Sequence, residues 1–208
     1  MCNYKTEQEA FWAGEFGTMY IYRNSDRKHI ASCTKMFSDI FSQCKGVDSV
    51  LELGANRGNN MEAIKCLLPE SKLTAVEINK DAVAELKKIK FVTTYHCSIL
   101  NFEVEDQFDF VFTRGVLIHI NPDQLELVYD KMYNLSKKYI CIAEYYNPTP
   151  VSIPYQGHSD RLFKRDFAGD LLKKFDDLKL IEYKFIYHND WIYPQDDITW
   201  FLMEKLNT

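Results

Sequence analysis

The segment Ser49-Val50-Leu51-Glu52-Leu53-Gly54-Ala55-Asn56-Arg57-Gly58 constrains this chain more than any other. The apolar run from Ser49 to Leu53 has the length of a buried strand and stops at a glycine, after which Met61 to Leu68 reads as a helix. A strand, a tight turn and a helix are therefore expected in succession. Gly54 and Gly58 permit positive φ in that turn and leave the backbone open to a close-approaching ligand. A dinucleotide-binding turn has glycines at its first, third and sixth places. Here those places hold Gly54, Asn56 and Asn59, so two of the three are missing.

From Ser49 onward, strand and helix patterns alternate, which predicts a mostly parallel sheet with helices on both faces. The expected strands are Ser49 to Leu53, Lys72 to Val76, Phe91 to Tyr95, Phe108 to Phe112, Lys138 to Ala143, Leu180 to Tyr187 and Ile198 to Glu204. Helices are expected from Lys80 to Lys88, from Asn121 to Leu135 with Pro122 in its first turn, and from Asp160 to Phe175. Between Glu144 and Ser159 the chain carries three of its six prolines, which suggests a shaped loop. Ahead of the sheet, Thr6 and Glu9 have capping-box spacing for a short helix, and Arg27 to Cys44 reads as a longer one. Residues 1–46 are thus expected to form a helical N-terminal cap or lid, and 47–208 the core of one domain.

At 208 residues the chain suits one full-sized core. A net charge of -5 gives no global attraction to nucleic acid or to an anionic membrane, so no partner of either kind is expected. No apolar run approaches the roughly 18 residues needed to span a bilayer. The six cysteines, at 2, 33, 44, 66, 97 and 141, have no metal-ligand or redox spacing and read as reduced thiols of a cytoplasmic protein. The five histidines show no paired spacing with cysteine, so no metal site is expected. Oligomeric state is not legible.

In an open parallel sheet, ligands bind beyond the carboxyl ends of the strands, where strand order reverses. Glu52, Glu77, Ser98, Thr113 to Gly115 and Glu144 to Asn147 all fall at such ends. Glu77 closes the second strand, where a carboxylate can accept hydrogen bonds from both hydroxyls of a ribose. An acidic residue two positions before the first glycine, as Glu52 is, fits an S-adenosylmethionine site better than a dinucleotide site. The Glu-Leu-Gly-x-x-x-Gly turn followed by Ala75-Val76-Glu77-Ile78-Asn79 resembles the Rossmann-like class I S-adenosylmethionine-dependent methyltransferases. One branch is closer still. Phe11 to Gly17, Tyr22-Arg23-Asn24, Glu52 to Asn56, Gly115 to Pro122, Glu144 to Pro150 and Arg165-Asp166-Phe167 look like the methylases associated with pseudaminic acid biosynthesis, a branch that carries asparagine at the place of Asn56.

The resemblance implies a seven-stranded sheet with an antiparallel last strand. It also implies methyl transfer from S-adenosylmethionine to a small acceptor, a nonulosonic sugar or a related metabolite, free or nucleotide-activated. By carry-over, Gly54, Asn56 and Gly58 would line the methionine part, Glu52 would hold its amino group directly or through water, and Glu77 the ribose. Ile78, Ser98, Ile99 and Arg114 would complete the cofactor site, with Ser98 standing where many relatives have an adenine-contacting aspartate. Arg57 could pair with the methionine carboxylate. For the acceptor, His119, Glu144, Tyr146 and His158 are candidate catalytic groups. Trp12, Tyr20, Arg23, Asn24, Asn147, Arg161 and Arg165 are candidate substrate contacts, with an ordinary solvated helix face as the plain alternative for Arg161, Lys164 and Arg165.

Overall fold

A computed structural model of the protein describes residues 4–21 and 27–206, with the side chain of Arg27 outside the description. Seven strands form one sheet in the order β3-β2-β1-β4-β5-β9-β8. They are β1 (Ser49–Leu53), β2 (Lys72–Glu77), β3 (Val92–His96), β4 (Phe108–Arg114), β5 (Ser136–Glu144), β8 (Leu178–Ile186) and β9 (Ile198–Lys205). The neighbouring pairs from β3 through β5 are parallel, and β9 runs antiparallel between β5 and β8. Strand order reverses between β1 and β4, so the crevice at their carboxyl ends is the place where this topology offers a ligand site.

Alternation along the central strands feeds two cores. Val50, Phe110, Phe112, Cys141 and Trp200 face α3 (Arg27–Phe41) and α4 (Asn59–Leu67), where Cys33, Met36, Phe37, Met61 and Ile64 are buried. Leu51, Leu53, Val111, Ile140 and Ile142 face α6 (Leu125–Leu135) and α7 (Phe167–Lys174), which bury Val128, Tyr129, Met132 and Leu171. Burial on both faces is why these strands read as unbroken apolar runs rather than alternating ones.

The N-terminal cap is a pair of short helices, α1 (Glu7–Ala13) and α2 (Glu15–Ile21). Thr6 caps α1, and Glu9 completes the capping box by accepting from the Thr6 amide. The pair is fastened to the sheet by Asn79, which precedes α5 (Lys80–Leu86). The Asn79 Nδ2 group donates to the carbonyls of Trp12 (3.1 Å) and Gly14 (3.2 Å), while its Oδ1 caps α5 by accepting from Asp81 and Ala82. Thr18 Oγ1 adds a 2.7 Å bond to Asp81 Oδ2.

The expected helix from Asp160 to Phe175 is corrected. Only Phe167–Lys174 is helical, with Asp166 as its N-cap accepting from the Gly169 amide at 2.8 Å. Ahead of it, β7 (Phe163–Lys164), in the first turns of the expected helix, pairs antiparallel with β6 (Val151–Ser152), in the expected proline-rich loop, as a two-stranded ribbon. Apolar periodicity across residues 160–166 is weak, and a ribbon that pairs Phe163 with Ser152 and Lys164 with Val151 leaves no local signal. Arg161, Lys164 and Arg165 therefore do not share a helix face.

Candidate functional site

One cavity opens at the switch point, and its floor is the turn after β1. Gly54 (φ 85°), Asn56 (φ 48°) and Gly58 (φ 91°) all adopt left-handed backbone. Asparagine is among the few side-chain-bearing residues that enter this region readily, which is the physical reason it can stand where a glycine is usual. The amides of Gly54 (2.8 Å) and Ala55 (3.0 Å) donate to the Val76 carbonyl, locking the turn against the end of β2. A Cβ on Gly54 would lie 2.6 Å from Val116 Cγ2, so the residue is needed for close approach as well as for its φ.

Glu77 joins this turn to the next one. Its Oε2 accepts from the Asn56 amide and its Oε1 from the Asn79 amide, both at 2.7 Å. Burial raises its pKa, and these backbone bonds oppose the shift. Each carboxylate oxygen keeps a further lone pair for a ligand hydroxyl.

Glu52 lies one layer deeper than expected. It is 1% exposed and does not border the cavity; Asn60, which does, donates from Nδ2 to Glu52 Oε1 at 2.5 Å. Burial pushes the Glu52 pKa up to about 8, against the pull of Asn60 and Arg114. Gly58 also sits away from the cavity. Its missing side chain makes room for Leu86 Cδ1, 2.5 Å from a would-be Cβ, and for Ile89.

Asn56, Arg57, Ile78, Ser98, Ile99 and Arg114 border the cavity. Ser98 caps the 3-10 turn Ile99–Asn101 by accepting from the Leu100 amide, and its hydroxyl donates to Glu9 Oε1. An acid thus stands at the end of β3 after all, delivered from α1. Glu9 is 6% exposed and lines the same cavity.

The other end of the cavity is walled by aromatic rings. Trp12, Tyr20, His119, Tyr145 and Tyr155 border it, with the Trp12 and His119 rings 4.4 Å apart and the His119 and Tyr155 rings 5.3 Å apart. His119 Nδ1 is 2.6 Å from the Arg161 carbonyl, and since a carbonyl only accepts, Nδ1 carries the proton. Burial drives the His119 pKa down to about 4. The Arg114 guanidinium donates from Nη2 to Gln195 Oε1 at 2.8 Å, and Gln195 in turn donates to the Ser32 carbonyl. Among the described residues no carboxylate lies within ion-pair distance of Arg114.

Several expected residues lie elsewhere. Glu144 is 2% exposed, and its carboxylate accepts from the amides of Val116 (3.0 Å) and Leu117 (3.0 Å). Burial raises its pKa to about 7, against these bonds. It braces the turn that carries His119 instead of reaching a ligand. Tyr146 packs on the outer face of the sheet against Phe201 and is 44% exposed; the tyrosine that enters the cavity is its neighbour Tyr145. His158 stands outside with its ring against Phe11, and Asn147 bonds to Thr149. Arg161 pairs with Glu7 and Asp160 while lying over Phe11, and Arg165 pairs with Asp170, so neither reaches the cavity. Arg23 and Asn24 lie outside the described residues.

The model of the methyltransferase domain family matches residues 51–138. No curated protein matches the sequence. Solved structures do match. The 1,6-didemethyltoxoflavin-N1-methyltransferase of Burkholderia thailandensis, solved with S-adenosylhomocysteine, is similar at TM-score 0.69 and 15% identity, over 100% of this chain and 93% of that one. For the plantazolicin methyltransferase BpumL, also with S-adenosylhomocysteine, the values are 0.68 and 15%, over 96% and 94%. The N-methyltransferase NodS of Bradyrhizobium japonicum gives 0.64 and 16%, over 88% and 99%. The fold is that of a class I S-adenosylmethionine-dependent methyltransferase.

S-adenosylmethionine is the cofactor of this fold, and the residues around the cavity suit it. Buried polar atoms of cavity residues lack protein partners at Trp12 Nε1, Asn56 Oδ1, Asn60 Oδ1 and Arg114 Nε. Each such atom costs about 1–3 kcal/mol if left unpaired. The two amide oxygens match an ammonium group, and Glu77 matches a ribose. When bound, the cofactor supplies an activated methyl group on a cationic sulfur.

Proposed function

We propose that the protein transfers a methyl group from S-adenosylmethionine to a small acceptor, a nonulosonic (pseudaminic-type) sugar or a related sugar acid, free or nucleotide-activated. The observation that carries this reading is Arg114. It is a cavity guanidinium with no carboxylate partner among the described residues, and its Nε is buried and unpaired. It offers an acidic ligand a charge-assisted bond that the protein leaves open. Trp12, Tyr145 and Tyr155 add flat apolar walls of the kind on which a sugar ring stacks.

On this reading Glu77, Asn56, Asn60 and Arg57 bind the cofactor, the aromatic walls exclude water, and the chain acts as one methyltransferase domain in which α1 and α2 form the cap and α3, expected with them in 1–46, belongs with 47–208 to the core. We assign it to the cytoplasm. The described cysteines, Cys33, Cys44, Cys66, Cys97 and Cys141, are all free, and no helix among the described residues is long and apolar enough to cross a membrane.

The test is acceptor profiling. Nonulosonic acids and their nucleotide-activated forms are incubated with the protein and S-adenosylmethionine, and S-adenosylhomocysteine release is followed. Turnover of an acidic sugar that is lost in Arg114→Ala is the expected result. Turnover restricted to unrelated acceptors overturns the sugar assignment, and none with any acceptor overturns the enzymatic one.

A further inference from the structure

We infer that the methyl acceptor is a hydroxyl group and that His119 Nε2 is the atom that takes its proton. This rests on the methyl-transfer reading above and names the reacting group at that site.

The tautomer of His119 is fixed by its surroundings. Because Nδ1 donates to the Arg161 carbonyl, the neutral ring must present Nε2 as a bare acceptor, and Nε2 has no hydrogen-bond partner among the described residues. Both sides of this arrangement are built. The His119 turn is braced by Glu144 through the Val116 and Leu117 amides, and the Arg161 carbonyl lies just ahead of β7 in the two-stranded ribbon. Trp12 and Tyr155 close over the ring, so the imidazole has little rotational freedom.

The surroundings then select among acceptors. Among the described residues, the groups against His119 are the Trp12 indole, the Tyr155 ring and the Arg161 main chain, and no charged side chain acts on it. An ammonium acceptor would want a carboxylate there, and a carboxylate acceptor would want a cation and needs no base at all. A hydroxyl is neutral on arrival, donates one hydrogen bond to Nε2 and must lose its proton as it is alkylated.

Charge balances in that step. The acceptor oxygen bonds to the methyl carbon, the sulfur retains the electron pair of the broken carbon–sulfur bond, and the hydroxyl proton passes to Nε2. One positive charge leaves sulfur as one appears on the imidazole, so the transfer adds no net charge to the cavity. An acid placed on Arg114 and a hydroxyl placed on His119 together describe a hydroxy acid.

Two measurements test this. Nitrogen-15 NMR of the histidines in the wild-type protein with S-adenosylhomocysteine should show His119 with a proton on Nδ1 and none on Nε2 at pH 7. The Nε2 signal should shift on adding N-acetylneuraminic acid as a probe. A proton found on Nε2 overturns the proposal without bearing on the methyl-transfer reading.

In turnover assays with N-acetylneuraminic and glucuronic acids as hydroxyl probes and glucosamine as an amine probe, the products should be methyl ethers. His119→Asn should lower kcat on the ether-forming reaction by about 100-fold or more, with S-adenosylhomocysteine affinity within about threefold, as expected for a group that transfers a proton and binds no cofactor. N-methylation alone, transfer to no hydroxyl probe, or a His119→Asn kcat within threefold of wild type overturns it. Loss of S-adenosylhomocysteine binding by the wild type overturns the underlying reading as well.

Discussion

Replacing Glu52 with glutamine removes one ionisable proton site from the centre of the protein and little else. The side chain is 1% exposed, and one of its oxygens accepts from Asn60, a bond that a carboxamide oxygen can also accept. Burial raises the carboxyl from its ordinary 4.5 to about 8. The folded state therefore holds the proton more tightly than the unfolded chain does. For a carboxyl shifted this way, the stabilising contribution is complete below pH 4.5 and is lost as pH rises through about 8. Each unit is worth about 1.4 kcal/mol, so at pH 7 the penalty carried by wild type and absent from Glu52→Gln is on the order of 3 kcal/mol. Urea denaturation of both proteins at pH 5, 6, 7 and 8 measures it. Other buried groups, such as Glu144 and His119, are common to the two proteins and cancel in the difference. The variant should match wild type near pH 5 and exceed it progressively toward pH 8. A stability difference that does not change with pH refutes the reasoning.

Further outcomes follow from the turn and the cap. Asn56→Gly should fold as wild type does but bind S-adenosylhomocysteine more weakly by titration, because the Oδ1 offered to the ammonium group is lost, whereas Asn56→Val, forced to φ near 48°, should lose about 1–2 kcal/mol of stability in the same urea assay. Gly54→Ala should weaken S-adenosylhomocysteine binding at least tenfold by titration, because its Cβ meets Val116, and Val116→Ala should recover part of that loss. Asn79→Ala frees the cap from three bonds, to Trp12, Gly14 and Thr18. It should raise hydrogen exchange across residues 7–21 while leaving exchange in β1 and β4 unchanged.

Strands β1, β2, β4 and β5 are legible because each is largely buried on both faces and bounded by a turn, so pattern and length agree. The antiparallel placement of β9 came from family resemblance, since no local feature of Ile198 to Glu204 encodes its neighbours. Non-local contact is what sequence periodicity lacks. Ser98 meets Glu9 from 89 positions away, and the β6–β7 ribbon replaces the start of an expected helix. Tyr145 and Tyr146 differ only in which side of β5 they leave by, and β5 runs on to Glu144, one residue beyond its expected end, which turns Tyr145 inward. Glu144 looked chemical by position, yet the backbone amides of Val116 and Leu117 occupy its carboxylate. Asn60 carried no sequence signal of its own; it matters because Glu52 lies behind it.

The central claim is that this cavity holds S-adenosylmethionine between the turn at Gly54 and the carboxylate of Glu77. Isothermal titration of the protein with S-adenosylhomocysteine tests it most directly. The account predicts saturable binding with one site per chain, weakened at least tenfold in Glu77→Gln, whose side chain offers a ribose one acceptor oxygen instead of two. Absence of measurable binding to the wild type, or equal affinity in Glu77→Gln, would contradict it.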